Sequence, residues 1–111
     1  MISLTKDKEL KGYKSLTVYP EVAHFVTTRH GGVSEGTYGS FNCSPYTKDS
    51  CINVNCNQNK LFQITGHQIK ELVIPEQKHG SASLVVDESF FKESLEVRRT
   101  LLRGIDALSL I

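Results

Sequence analysis

The chain has no tryptophan, one methionine and three prolines. No apolar run reaches the roughly 18 residues that a bilayer-crossing helix needs, so no membrane span is expected. The opening residues, Met1-Ile2-Ser3-Leu4-Thr5-Lys6, lack the apolar stretch of a secretory signal. Neither sign of charge is in excess: the formal net charge is +1. That argues against the clustered basic face that nucleic-acid binding uses. The densest basic group, Arg98-Arg99 with Arg103, stands beside Glu93 and Glu96 and reads as a solvated helix face. The three cysteines, Cys43, Cys51 and Cys56, are an odd number and are read as reduced thiols, not a disulfide framework. Their spacing has no close-set pair of the zinc-finger kind. Cytoplasm is the expected location, and neither nucleic acid nor membrane is an expected partner. No phosphate-binding P-loop, dinucleotide fingerprint or nucleophile elbow is present.

What is there suits a folded soluble chain, with 39% hydrophobic and 23% charged residues. One domain over 1–111 is expected, large enough to bury roughly 65% of its unfolded surface. Alternation predicts a strand over 14–19, stopped by Pro20, and a second over 22–28. Residues 30–45 are rich in glycine, proline and small polar side chains and should form a long ordered loop or set of turns, a form that is usually functional. A helix should start at a cap on Asp49 or Ser50, run to about Thr65 and end at Gly66. Its apolar side would use Ile52, Cys56, Leu61 and Phe62, with Cys51 and Cys56 as small buried hydrophobes. Its asparagines weaken the helix. His24 falls in the second strand, and His30 and His67 in or beside loops. A short buried strand at 72–74 leads into Pro75, another strand spans 83–87, and an amphipathic helix spans 90–102 with Gly104 closing it. An apolar strand occupies 105–111. Such a strand at a chain end is either central to a sheet or a sign that sequence is missing, and the second reading is favoured.

Three clusters carry candidate chemistry. In Thr27-Thr28-Arg29-His30-Gly31-Gly32-Val33-Ser34, a strand delivers an arginine to a glycine pair. The arginine fork suits a phosphate or carboxylate, although Gly-Gly is also an ordinary turn. In Tyr38-Gly39-Ser40-Phe41-Asn42, the Asn42 amide could bond a ligand or satisfy its own loop. In Pro75-Glu76-Gln77-Lys78-His79-Gly80, His79 follows a strand and could serve as metal ligand, acid–base group or plain surface residue.

Together these clusters resemble one family. The pieces are His24-Phe25-Val26-Thr27-Thr28-Arg29-His30-Gly31-Gly32-Val33-Ser34, then Gly39-Ser40-Phe41-Asn42, Asn53-Val54 with Asn57, Gln77-Lys78-His79-Gly80, and Gly104-Ile105-Asp106-Ala107-Leu108. In order and spacing they are similar to the N-terminal part of the laccase-domain family, first named for multicopper polyphenol oxidase activity and later described as purine nucleoside phosphorylases. The resemblance implies an α+β fold, a mixed β-sheet flanked by helices. It implies phosphorolysis of adenosine, inosine and 5′-methylthioadenosine, with adenosine deamination also attributed to the family. Phosphate would be co-substrate and zinc the metal, copper being the poorer fit. His79 would be a zinc ligand and the catalytic residue, Arg29 the phosphate contact, and Asn42 and Gln77 the ribose or base contacts. The family's ligand cysteine and second ligand histidine have no match here, so the chain is expected to hold an incomplete zinc site and to be inactive by itself. The alternative is a non-catalytic remnant or interaction module. Its exposed C-terminal strand would pair with another chain, including a second copy in a homo-oligomer.

Overall fold

The computed structural model describes residues 1–6, 8–21, 23–66 and 72–110. The sequence reads as one domain; its packing divides into two compact units, Met1–Glu71 and Leu72–Ile111. Each has its own apolar cluster and is described by itself. The α+β class holds: the first unit carries an antiparallel sheet, the second a parallel strand pair, and both carry helices.

In the first unit, β1 (Ile2–Ser3), β2 (Leu10–Gly12) and β3 (Val26–Thr27) form a sheet in that order. Leu10 faces Thr27 and Ile2 faces Gly12 across the antiparallel pairs. The strand expected over 14–19 is absent. Lys14–Thr17 is instead one helical turn, α1. The Tyr13 carbonyl accepts from the Leu16 and Thr17 N–H groups at 2.9 and 3.2 Å, and the Thr17 hydroxyl donates to the Lys14 carbonyl at 2.7 Å. Val18 is 68% exposed. An alternating pattern makes a strand only where one face has a core to enter, and here local bonds prevail. The second expected strand shortens to β3, leaving His24 outside it, and Val22 lies outside the described residues.

The long helix α2 (Cys51–Thr65) has the ends its sequence announces. The Ser50 hydroxyl accepts from the Ile52 N–H at 3.2 Å. Gly66, at φ +79°, adopts the left-handed conformation that closes the helix, and its N–H returns to the Phe62 carbonyl. The inward stripe differs from expectation. Val54, Asn57 and Leu61 are buried, whereas Ile52 is 70% exposed and both Cys51 and Cys56 face solvent. Positions 54, 57 and 61 follow the three- and four-residue steps of one helix face. Counting only apolar residues passes over that face because an asparagine occupies its middle. Leu61 joins Leu10 and Phe41 in the unit's core, with Cys43 and Ile64 against them.

In the second unit, β4 (Ser83–Val86) pairs in parallel with β5 (Ala107–Leu110), Ser83 beside Ala107 and Val86 beside Leu110. Ile111, in the predicted last strand, lies outside the described residues. The predicted helix over 90–102 is two helices, α3 (Glu88–Lys92) and α4 (Leu95–Leu102). Asp87 caps the first, accepting from the Ser89 and Phe90 N–H groups, and Ser94 caps the second, accepting from Val97 N–H. Apolar periodicity runs through the break because both helices feed one core, in which Phe90 and Leu102 pack with Val86. Burial of each such side chain stabilises the unit by about 1.5–3 kcal/mol.

Arg98 is not part of a solvated face. It donates to the Phe90 carbonyl at 3.2 Å and to the Phe91 carbonyl, with its guanidinium 5.8 and 5.6 Å from the two ring centres. Arg103 sits 3.9 Å from the Glu76 carboxylate. The strand expected at 72–74 is also absent. Those residues are half-buried loop, and one parallel bridge follows, Glu76 with Arg103.

Candidate functional site

In the first unit, the segment from Arg29 to Ser50 is a loop held by main-chain and side-chain bonds. The Arg29 carbonyl accepts from both the N–H and the hydroxyl of Ser40, at 2.7 and 2.6 Å. Ser34 N–H donates to the Ser40 carbonyl at 2.9 Å. These bonds draw the two glycine-bearing stretches together. A Cβ at Gly32 would collide with the Ser40 carbonyl, the Phe41 backbone and the Asn57 side chain, so only glycine fits there. Arg29 itself stays exposed, its Nε donating to the Gly39 carbonyl at 3.3 Å.

Asn57 organises the loop from below. It is 1% exposed. Its Oδ1 accepts from Val33 N–H at 2.9 Å, and its Nδ2 donates to Ser34 Oγ at 2.8 Å and to the Asn42 carbonyl at 2.7 Å. Two neighbours on α2 act the same way: Gln58 donates to the Cys43 carbonyl at 2.8 Å, and Lys60 to the Gly31 carbonyl. Lys60 also lies 3.8 Å from the buried Glu9 carboxylate, which accepts from Thr5 Oγ1. Asp49 closes the arrangement, accepting from Ser34 Oγ at 2.6 Å and Asn42 Nδ2 at 3.2 Å. The Ser34 hydroxyl is the largest influence holding the Asp49 carboxyl below the usual aspartate range.

Asn42 is therefore engaged inside the loop. Its Nδ2 donates to Thr47 Oγ1 and Asp49, and its Oδ1 accepts from Ser44 N–H. Of the two uses open to this side chain on sequence, the structure displays the local one.

In the second unit, Gln77, Lys78, His79 and Gly80 form an exposed loop between the Glu76 bridge and β4. Sequence reasoning singled out Gln77 and His79 but gave no role to the residue that holds the turn at His79. The Asp106 carboxylate accepts three consecutive N–H groups, those of Lys78, His79 and Gly80, at 3.0, 2.8 and 2.8 Å. His79 has φ +62°, a left-handed conformation uncommon for a residue with a side chain. Partial burial pushes the Asp106 carboxyl upward, but the three N–H groups and the nearby His79 outweigh it, and the net direction is down. The signal for Asp106 was available, since it stands in the Gly104-Ile105-Asp106-Ala107 piece.

The sequence-predicted residues thus fall into pairs, Arg29 with Asn42 on the loop of the first unit and Gln77 with His79 on that of the second. Among the described residues, no group of three or more His, Cys, Asp and Glu is placed to hold a metal ion. Two of the other donors are engaged or buried. His24 Nε2 accepts from Tyr13 N–H at 2.9 Å, and burial pushes the Cys43 thiol up to about 11. His67 lies outside the described residues. Also among the described residues, no helix is long and apolar enough to cross a membrane.

The sequence pattern that defines the multi-copper polyphenol oxidoreductase laccase family matches residues 23–110. The chain belongs to this family. It is 46% identical over 108 residues to a purine nucleoside phosphorylase of Bacteroides thetaiotaomicron, covering 97% of this chain and 40% of that protein. A purine nucleoside phosphorylase of Corynebacterium glutamicum is 40% identical over 63 residues, 57% of this chain and 26% of that protein. An adenosine deaminase from an unknown prokaryotic organism is 30% identical over 87 residues, 78% of this chain and 33% of that protein. The chain spans 40% or less of the length of these three relatives.

Proposed function

We propose that the chain is the N-terminal share of a purine nucleoside phosphorylase, with Arg29 and the Gln77–His79 loop as its contribution to the site. The observation that carries this reading is the 46% identity to the Bacteroides thetaiotaomicron enzyme across 97% of the chain. In the proposed reaction, a phosphate oxygen bonds to ribose C1′ as the bond from C1′ to the purine nitrogen breaks. The purine nitrogen leaves with the bonding pair and takes up a proton; the products are the free base and ribose 1-phosphate, or 5-methylthioribose 1-phosphate from 5′-methylthioadenosine. Adenosine, inosine and 5′-methylthioadenosine are the proposed substrates. The likeness to a protein named adenosine deaminase supports adenosine deamination as a second activity.

Each residue has a task suited to its chemistry. Arg29 offers a planar fork of N–H donors to phosphate. Gln77 offers an exposed amide to ribose or base. His79 is the proposed metal ligand or acid–base group, both within reach of an imidazole near neutral pH. Asn42 enters as a support of the Arg29 loop, since its amide is engaged with Thr47, Asp49 and Ser44. The described residues do not by themselves compose a zinc site, because no second and third donor gather with His79.

A chimera tests the reading. These 111 residues replace the matching part of the Bacteroides thetaiotaomicron enzyme, and phosphate-dependent release of hypoxanthine from inosine is followed. The chimera should be active. Arg29→Ala should raise the KM for phosphate about tenfold or more, as expected when a charge-assisted contact is lost. A folded chimera that releases no base, beside an active parent, would end the proposal.

A further inference from the structure

We propose that Asp106 is a positioning residue that fixes the direction of the His79 imidazole by gripping the main chain on both sides of it. The catalytic consequence rests on the function proposed above; the structural part does not.

The argument starts from the φ of +62° at His79. The next residue is Gly80, which could adopt a left-handed conformation without steric cost. The histidine takes it instead. A non-glycine residue in this region is strained and persists only where its surroundings over-determine it. The surroundings here are one carboxylate. Asp106 Oδ1 accepts from Lys78 N–H at 3.0 Å and His79 N–H at 2.8 Å, and Oδ2 accepts from Gly80 N–H at 2.8 Å. Three successive N–H groups turned toward one anion form a concave cradle, and both carboxylate oxygens fill it. With the backbone pinned on each side of its Cα, the His79 side chain can leave the loop only within a narrow range of directions. An alternative backbone at 78–80 would release all three bonds at once.

Asp106 is itself well anchored. It lies just before β5, and its own N–H donates to the Ala82 carbonyl at 2.9 Å. Gly104, at φ +72°, makes the turn from α4 that brings the aspartate to the loop. The Gln-Lys-His-Gly and Gly-x-Asp-Ala pieces are thus two halves of one device, the second setting the posture of the first.

The test has two arms. In the 111-residue chain, NMR amide exchange should show Lys78, His79 and Gly80 protected although their side chains are exposed. Asp106→Ala should speed exchange at these amides about tenfold or more while Ser83–Val86 stays protected. Asp106→Asn keeps one accepting oxygen, so Lys78 and His79 should stay protected and Gly80 should be released. This variant carries the test if the alanine variant fails to fold. Wild-type amides that exchange freely, or that ignore both substitutions, would overturn the proposal.

The second arm uses the chimera. Asp106→Ala should lower kcat about 10- to 100-fold, the usual effect of removing an outer support, with KM for inosine within about twofold. In a His79→Ala background the same change should cost almost nothing, because both substitutions remove one function. Equal losses in both backgrounds would reduce Asp106 to a general stabiliser and reject its positioning role. An inactive wild-type chimera would reject the proposed function and leave amide exchange to decide on Asp106.

Discussion

Two loops bear the candidate residues, and in each one polar side chain makes three bonds to it, by opposite means. The Arg29 loop is gripped from the interior by Asn57, a neutral amide whose donors and acceptor are all engaged. The His79 loop is gripped from the surface by Asp106, a carboxylate that only accepts. The difference follows the dielectric. An ionised group carried into the interior loses far more hydration than a few N–H donors return. An amide can instead satisfy a buried N–H, a carbonyl and a hydroxyl together. At the surface, water screens the charge while charge-assisted bonds to the main chain stay short and directional. Asn57 is the buried amide of this pair and Asp106 the surface charge; the carboxylate that is buried, Glu9, has Thr5 Oγ1 and Lys60 as partners.

The sharpest way to break this contrast is to remove the interior grip. Asn57→Ala should destabilise the first unit by about 2–4 kcal/mol, since Val33 N–H, the Asn42 carbonyl and Ser34 Oγ each lose a partner. Asn57→Asp should cost at least as much, because a carboxylate cannot donate to the Asn42 carbonyl. Urea denaturation of the three chains measures the order, and an alanine variant as stable as wild type would dissolve the contrast.

A smaller effect is expected from acid. Asp106, Asp87 and Asp49 all have folded values below the ordinary 3.8. Groups depressed on folding contribute stability above their unfolded value, and that contribution is lost as pH falls through the folded value. The denaturation midpoint should hold down to about pH 4 and then fall below the reference value of 3.8. Asp106→Asn should flatten part of that fall. The Asn57→Ala penalty should not change across it, since an amide does not titrate.

The smallest effect concerns the thiols. Cys51 and Cys56 are exposed, whereas burial raises Cys43 to about 11. At pH 8 only about one Cys43 in a thousand is thiolate. A thiol reagent should therefore label two cysteines readily and the third only on unfolding. Ready labelling of Cys43 in the folded chain would show that the Phe41–Leu61 region opens more easily than its packing implies.

Several features were legible in the sequence because single residues carried them. Ser50 and Gly66 marked α2, Gly104 marked the end of α4, and Leu84-Val85-Val86, the apolar centre of the strand expected over 83–87, marked β4, which stops one residue earlier because Asp87 caps α3. The α+β class and the family followed from the ordered motifs. The missed features depend on partners distant in sequence or on bonds that composition does not reveal. The turn at Lys14–Thr17 looks like a strand until its lack of a core face is known. The break between α3 and α4 hides in continuous periodicity, although Asp87 and Ser94 are both good caps. Asn57 reads as a residue that weakens a helix, and its value appears only when Val33, Ser34 and Asn42 come within reach. Of the site residues, Arg29, Gln77 and His79 are exposed, while Asn42 looks inward.

The grip of α2 on its loop has a consequence for how this sequence can change. Asn57, Gln58 and Lys60 reach carbonyl oxygens of Asn42, Cys43 and Gly31, atoms that every amino acid possesses. The helix recognises the path of the main chain and is indifferent to much of what hangs from it. Cys43 could give way to another small apolar residue with Gln58 still attached. Variation can accumulate along the loop while its course, and with it the perch of Arg29, is inherited unchanged.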